Sequence, residues 1–174
     1  GGQGLDRNNP RVQVLLKQQE QMTGTMGQML GEEILHVMRE SLGKPPLDLT
    51  IRGANSVLTC PDRRRTDSGR AGYPGTYEDA GEVSMRLGAL RIGDIYIGAI
   101  DAEVYSGIGL RLKRESPFKH TLFATLTNGS APTGYIPSED AWGRNVFTVL
   151  SSRLKPGCAE AGIVNGIVEL MRRL

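Results

Sequence analysis

The chain has 174 residues, which is the size of one domain or of part of a larger one. Hydrophobic side chains make up 39% and charged side chains 23%, a balance that supports a buried core and excludes an intrinsically disordered polymer. The net charge of +2 gives little support to nucleic-acid binding, and no apolar run approaches the roughly 20 residues that span a bilayer. We therefore predict a protein that does not bind nucleic acid and is not transmembrane.

The N-terminal part of the chain is predicted to be helical after a polar, turn-rich start over residues 1–10. Residues 11–21 are rich in Gln and predict a short helix, which Thr23 and Gly24 interrupt. Apolar residues then recur at helical spacing and predict an amphipathic helix over 26–41. Pro45 and its neighbours end that helix.

The rest of the chain interleaves strands and helices. Alternating apolar residues predict strands before and after a tight turn at Gly93 and Asp94. The predicted elements are, in order, strands over 47–52 and 55–60, a long exposed loop over 61–81, strands over 83–92 and 95–100, a helix over 105–114, a strand over 121–126, a loop over 127–138 and a final helix that includes 163–174. We predict that the arginines of the 61–81 loop are a solvated surface run. The fold class is therefore α/β or α+β, a mixed sheet with flanking helices whose strands look like part of a larger sheet.

Two cysteines and two histidines could carry chemistry, but neither pair has the spacing of a zinc finger. The separation of Cys60 and Cys158 leaves two interpretations open, a disulfide or two small, partly buried thiols. His36 lies among helix residues with core spacing, and His120 precedes a strand. We predict that both histidines are structural side chains and not metal ligands.

Two places where a strand runs into a loop are candidate sites, because catalytic groups in α/β proteins concentrate there. The strand over 95–100 delivers Asp101 and Glu103 to a turn that opens a helix. A carboxylate at this position can ligate a cation or act as a base, or it can only complement the helix dipole. The second place is the 127–138 loop, where Tyr135 can become an anionic ligand if a metal is close, or can pack its ring locally.

At these residues the chain resembles the neutral/alkaline ceramidase family. The run from Leu90 to Glu103, LRIGDIYIGAIDAE, is similar to a family stretch that ends in a zinc-ligating Glu. The run TNGSAPTGYIP, residues 127–137, is similar to a family segment whose Tyr also contacts zinc. The run SSRLKPGCAE, residues 151–160, looks like the family's closing segment.

The resemblance implies a zinc-dependent hydrolase that cleaves the amide of ceramide to sphingosine and a fatty acid. Family members bind one zinc through two His, one Glu and one Tyr, so Glu103 and Tyr135 would be the ligands in this chain. His36 and His120 do not match the two His ligands, which belong to an earlier half of the family's catalytic domain. The resemblance therefore implies that this chain is the back half of that domain, and that it works with a missing N-terminal half or as a homo-oligomer. Family relatives are often exported, which implies a secreted or periplasmic location.

One departure from the family concerns a Ser that is important for activity. The chain has GLDRNNP over residues 4–10 where the family has Gly-Asp-Val-Ser-Pro-Asn, and Asn9 stands at the position of the Ser. An Asn side chain cannot supply an alkoxide. Zinc lowers the pKa of bound water to about 7, so hydrolysis of an amide is compatible with the change.

Two functions from different classes follow. The first is a zinc-dependent hydrolase of an N-acyl (amide) bond, with an N-acyl lipid or amide substrate and with Glu103 and Tyr135 as this chain's share of the metal site. The alternative is a non-catalytic binding or assembly module with the ceramidase-like fold.

Overall fold

The computed structural model describes residues 6–40, 42–43, 49–68 and 72–174. The chain divides into two compact units, Gly1–Pro45 and Pro46–Leu174, and each is described here by itself.

Within the described residues of the first unit there is one long helix, α1, over Pro10–Glu40. The predicted interruption at Thr23 and Gly24 is wrong, because the helix runs through both residues. The Thr23 hydroxyl donates a hydrogen bond to the Gln19 carbonyl at 2.9 Å, a bond that forms within a helix. A glycine inside a helix costs about 1 kcal/mol relative to Ala, which is too little to end a helix of this length.

The second unit is an α+β fold, which confirms the predicted class. Its elements are β1 (Ile51–Arg65), β2 (Tyr77–Ile92), β3 (Ile95–Ile100), β4 (Glu103–Val104), α2 (Ser106–Glu115), β5 (His120–Ala124), β6 (Tyr135–Ile136), a 3-10 turn (Glu139–Ala141), α3 (Phe147–Leu150) and α4 (Ala159–Arg172). The helices predicted over 105–114 and 163–174 correspond to α2 and α4. The turn between β2 and β3 is also confirmed, and Gly93 takes a positive φ of 61° there.

The main sheet has four strands in the order β1-β2-β3-β5. The pairs β1–β2 and β2–β3 are antiparallel, and β3–β5 is parallel, so the sheet is mixed as predicted. A separate two-stranded parallel sheet joins β4 to β6. In this small sheet β4 follows β3 along the chain and β6 follows β5, and the two strands carry both predicted metal ligands.

The exposed loop predicted over 61–81 is wrong at both ends. β1 continues to Arg65 and β2 begins at Tyr77, so these strands are joined by residues 66–76. The separate strands predicted over 47–52 and 55–60 also belong partly to β1, which begins at Ile51, while residues 47 and 48 lie outside the described part of the chain. The polar side chains of 61–65 resemble loop composition, yet their backbone pairs with β2 from Tyr77 to Glu82.

Arg63 shows why the interpretation of a solvated arginine run is incomplete. Its guanidinium lies over the Tyr77 ring, 3.8 Å from the ring centroid, and 4.9 Å from the centroid of Trp142. It also donates to the backbone carbonyls of Val149 at 2.7 Å and Ser152 at 3.1 Å. Desolvation by burial lowers the pKa of the Arg63 guanidinium, although the nearby Tyr77 opposes that shift.

The core lies between the main sheet and α4. Alternate residues of β2 are buried on the face toward this helix, and α4 contributes the fully buried Ile163, Val164 and Ile167. A disulfide joins Cys60 of β1 to Cys158, directly before α4, with a Cα–Cα distance of 5.8 Å. Of the two interpretations that the cysteine spacing left open, a disulfide or two separate thiols, the structure shows the disulfide.

Helix α1 is the longest helix in the described residues, and its composition is not that of a membrane span. No helix among these residues combines the length and the apolar character that crossing a bilayer requires.

Candidate metal half-site

Glu103 and Tyr135 are neighbours in the small parallel sheet. Glu103 is the first residue of β4, Tyr135 is the first residue of β6, and the two are paired in register. Register partners on neighbouring strands direct their side chains to the same face of a sheet. The structure therefore brings together a carboxylate and a phenol that lie in two separate sequence motifs.

Backbone hydrogen bonds fix the two segments that carry these residues. The loop after β5 donates from Leu126 N to the Ala102 carbonyl at 3.1 Å and from Thr127 N to the Ile100 carbonyl at 2.9 Å. Beyond the small sheet, Tyr105 N donates to the Ile136 carbonyl at 3.0 Å. These bonds lie on both sides of Glu103 and extend the pairing of the two-residue strands.

The polar atoms of both side chains are available to a ligand. Glu103 is exposed, and Tyr135 is half-buried with its ring edge on Phe147, at 5.8 Å between ring centroids. Neither the Glu103 carboxylate nor the Tyr135 hydroxyl forms a hydrogen bond or an ion pair with a residue in the described ranges. Two oxygen-bearing side chains at paired positions of neighbouring strands, without internal partners, could contribute to one side of a cation site.

The donor set fits part of a zinc site. Zinc accepts oxygen ligands, and catalytic zinc sites use three protein ligands. Glu103 and Tyr135 supply two, and no group of three or more His, Cys, Asp or Glu residues able to hold a metal occurs among the residues described. The two residues thus make up less than a complete set of zinc ligands.

A buried carboxylate next to this pair has a role that sequence reasoning did not assign. Asp101 is 4% exposed and accepts a hydrogen bond from Arg86 N at 2.8 Å. The Arg86 Nε lies 3.6 Å from Asp101 Oδ2, and the same guanidinium donates to the Asn128 carbonyl. Asp101 and Arg86 thus connect the end of β3 to the loop that leads to Tyr135. The sequence already placed Asp101 directly after an apolar strand, but that pattern does not show that its partner is Arg86.

That loop has an unusual backbone. Three residues other than glycine take positive φ values, Leu126 at 56°, Asn128 at 52° and Ala131 at 49°. Such conformations cost of order 1–3 kcal/mol each and persist where surrounding contacts hold them. All three residues lie in the loop between β5 and Tyr135, the loop whose backbone is hydrogen-bonded to Ile100 and Ala102.

Gly129 of the same loop packs against Asp101, and this contact gives a testable prediction. A Cβ added at Gly129 would overlap the Asp101 side chain. We expect Gly129→Ala to lower the free energy of unfolding by about 1–3 kcal/mol, because the short Asp101 side chain is held by Arg86 and cannot move away without losing that bond. Chemical denaturation measures the change.

Gly143→Ala is the matched control for this substitution. A Cβ at Gly143 meets nothing within 4 Å, so its free energy of unfolding should change little. Equal stabilities of the Gly129 and Gly143 variants would contradict the packing described.

The other candidate residues have local partners. His36 and His120 are exposed, at 3.8 Å from Glu40 and 3.6 Å from Asp94 respectively. The neighbours of His36 have core spacing in the sequence, yet no residue of α1 is buried. Asn9 is exposed, and its side chain accepts from Arg11 N at 3.0 Å, the geometry of a helix N-cap.

Comparisons with known proteins found no match. No family model, no curated protein and no solved structure matches the chain.

Proposed function

We propose that this chain supplies the Glu and Tyr ligands of a ceramidase-like zinc-dependent hydrolase that cleaves an N-acyl amide bond. The observation that supports the proposal is the register pairing of Glu103 with Tyr135 on adjacent parallel strands. Their polar atoms form no hydrogen bond or ion pair with the part of the chain that the structure describes. The amide substrate class comes from the resemblance of the three motifs to the ceramidase family.

In this proposal the residues of the chain have distinct roles. Glu103 and Tyr135 would hold the zinc ion from one side, and when bound, zinc polarises a carbonyl and lowers the pKa of bound water. Asp101 and Arg86 would hold the loop from Asn128 onward against the end of β3. Asn9 caps α1 and would contribute no nucleophile.

The disulfide is consistent with the location that the resemblance implies. Disulfides form and persist in oxidising compartments, and Cys60–Cys158 is closed in the structure. This supports the proposal of a secreted or periplasmic protein.

Zinc analysis of the full-length natural protein tests the proposal. Under zinc-replete conditions we expect about one zinc per chain, the stoichiometry of a mononuclear catalytic site. Glu103→Gln and Tyr135→Phe each remove a ligand atom with little change in shape, so both should lower zinc content and N-acyl amide hydrolysis together. The 174-residue chain by itself should bind zinc poorly and lack hydrolase activity, because it provides two ligands.

Matched controls separate ligand loss from general damage. Glu82→Gln and Tyr73→Phe make the same chemical changes at exposed positions away from the small sheet, and they should keep full zinc content. A protein that contains no zinc, or one whose zinc content is independent of Glu103, would refute the proposal. N-acyl hydrolysis by the 174-residue chain alone would refute the two-ligand argument.

A non-catalytic assembly module is the second candidate, and a separate observation favours it. On the face of the main sheet turned away from α4, apolar side chains remain exposed, among them Ile51 at 68%, Leu122 at 50% and Leu90 at 37%. Apolar residues grouped on one sheet face are typical of a surface that packs against another layer. Absence of zinc under replete conditions would favour this function over hydrolysis.

A further inference from the structure

We propose that Arg153 and Glu160 are positioning residues that hold Tyr135 beside Glu103. Both lie in the 151–160 segment, and Arg153 contacts the chain before Tyr135 while Glu160 contacts the chain after it. This inference rests on the proposed function, which gives Tyr135 and Glu103 their role as zinc ligands. The contacts that support it are hydrogen bonds between described residues. It gives a role to the SSRLKPGCAE motif, which the metal half-site itself does not use.

The 151–160 segment first contacts the turn that precedes Tyr135. The Arg153 Nη1 donates to the Pro132 carbonyl at 3.1 Å, and the Arg153 backbone N donates to the Thr133 carbonyl at 3.1 Å. Thr133 is fully buried, and Gly134 has a φ of +65°. The backbone leading into β6 is therefore held by one residue through two hydrogen bonds.

Arg153 is itself fixed to β1 of the main sheet. Its Nη2 pairs with Asp62, a carboxylate that is 1% exposed. The Arg153 carbonyl accepts from Arg63 N at 2.6 Å, and an antiparallel bridge joins Asp62 to Leu154. The turn before Tyr135 is thus connected through Arg153 to a long strand of the core.

The same segment holds the chain again after Tyr135. Glu139, four positions past Tyr135, donates its backbone N to Glu160 Oε2 at 2.7 Å. The Glu139 carboxylate in turn accepts from Gly157 N at 3.0 Å and 3.1 Å. Glu160 is oriented by Arg111, whose Nη1 donates to Oε1 at 2.9 Å. Gly157 has a φ of +93°, which a glycine adopts without strain.

Two contacts on each side of Tyr135 matter because β4 and β6 have only two residues each. Such a short pair of strands has little stability of its own. Metal ligands need outer contacts that orient them, and loss of such contacts lowers metal affinity by about 10–100-fold. We therefore infer that the 151–160 segment sets the distance between the phenol of Tyr135 and the carboxylate of Glu103.

Two sets of variants in the full-length natural protein test this inference. Asp62→Asn combined with Arg153→Gln removes the ion pair without leaving a buried charge behind. Glu160→Ala removes the acceptor for Glu139 N. Glu160→Gln keeps one carbonyl oxygen as an acceptor for Glu139 N but loses the ion pair with Arg111. Arg144→Gln is the control, because Arg144 pairs with Asp140 at 2.9 Å on an exposed surface nearby.

The first readout is amide hydrogen exchange over residues 131–139, with the free energy of unfolding measured alongside. We expect faster exchange of this segment in the Asp62/Arg153 double variant and in Glu160→Ala, slower exchange in Glu160→Gln than in Glu160→Ala, and wild-type exchange in Arg144→Gln. The second readout is zinc affinity, which should fall by about 10-fold or more in the same two variants and be higher in Glu160→Gln than in Glu160→Ala. Partial recovery with Gln distinguishes positioning from a general loss of stability.

The outcomes separate this inference from the proposed function. If Glu103→Gln abolishes zinc binding while the positioning variants keep wild-type affinity, the inference is overturned and the proposed function stands. If zinc binding is independent of Glu103, the proposed function fails, and exchange over 131–139 alone decides the inference. Unchanged exchange in both the double variant and Glu160→Ala overturns it in every case.

Discussion

Opening the Cys60–Cys158 disulfide should lower the free energy of unfolding of this protein by about 2–5 kcal/mol. The bond joins residues 98 positions apart, so it restricts a large part of the unfolded chain. It also connects the main sheet to the start of α4, the helix that covers the core. The double variant Cys60→Ala/Cys158→Ala, measured by chemical denaturation, gives the change.

Reduction of the wild-type protein is the control for the lost side-chain volume. Cys60 is 1% exposed, and its replacement by Ala removes a buried sulfur as well as the cross-link. The reduced wild-type protein keeps both sulfurs, so most of the decrease should appear there too. Equal midpoints of denaturation for oxidised and reduced protein would show that the disulfide does not stabilise the fold.

The local patterns of the sequence predicted the buried face of β2 and the two strand–loop junctions that carry Glu103 and Tyr135. Alternation around Val83, Met85 and Leu87 identifies the buried face of β2, because side chains of a strand alternate between its faces. The role of Glu103 and Tyr135 as ligands was implied by the resemblance and stays a prediction. The strands β3 and β5 are neighbours in the main sheet, and Glu103 pairs with Tyr135 in the small sheet.

The region over 61–81 shows where local patterns fail. Its composition resembles a loop, but Asp62 is buried through a pairing with Arg153, which lies 91 positions further along the chain. Arg63 is held by Tyr77 and Trp142 in the same way. Charged side chains are buried or half-buried here because they contact residues that are distant in the sequence. The pattern of residues within the segment contains no information about those contacts.

Helix α1 shows the opposite failure. Its apolar spacing predicts a core-facing surface around His36, yet none of its residues is buried in the structure. Spacing identifies the apolar face of a helix but does not identify what covers it. The core spacing around His36 therefore does not bury its neighbours, while the prediction that His36 is not a metal ligand stays a prediction.

The packing of Gly98 against α4 gives the second large effect. Gly98 is in β3, and a Cβ built there would lie 2.6 Å from Ile167 Cγ2 and 3.0 Å from Leu112 Cδ2. We expect Gly98→Ala to cost about 1–3 kcal/mol of unfolding free energy, because the backbone of β3 and the helix must separate. Ile167→Ala should cost about 2–5 kcal/mol, because Ile167 is fully buried and its removal leaves a cavity.

The double variant Gly98→Ala/Ile167→Ala tests whether the two residues share one contact. The methyl group added at position 98 occupies space that Ile167 leaves, so the double variant should be less destabilised than the sum of the single variants, by about 0.5–3 kcal/mol. Leu110→Ala is the control, since Leu110 is 62% exposed on α2 and should combine with Gly98→Ala additively. Strict additivity of Gly98→Ala with Ile167→Ala would mean that β3 and α4 do not approach as closely as the structure shows.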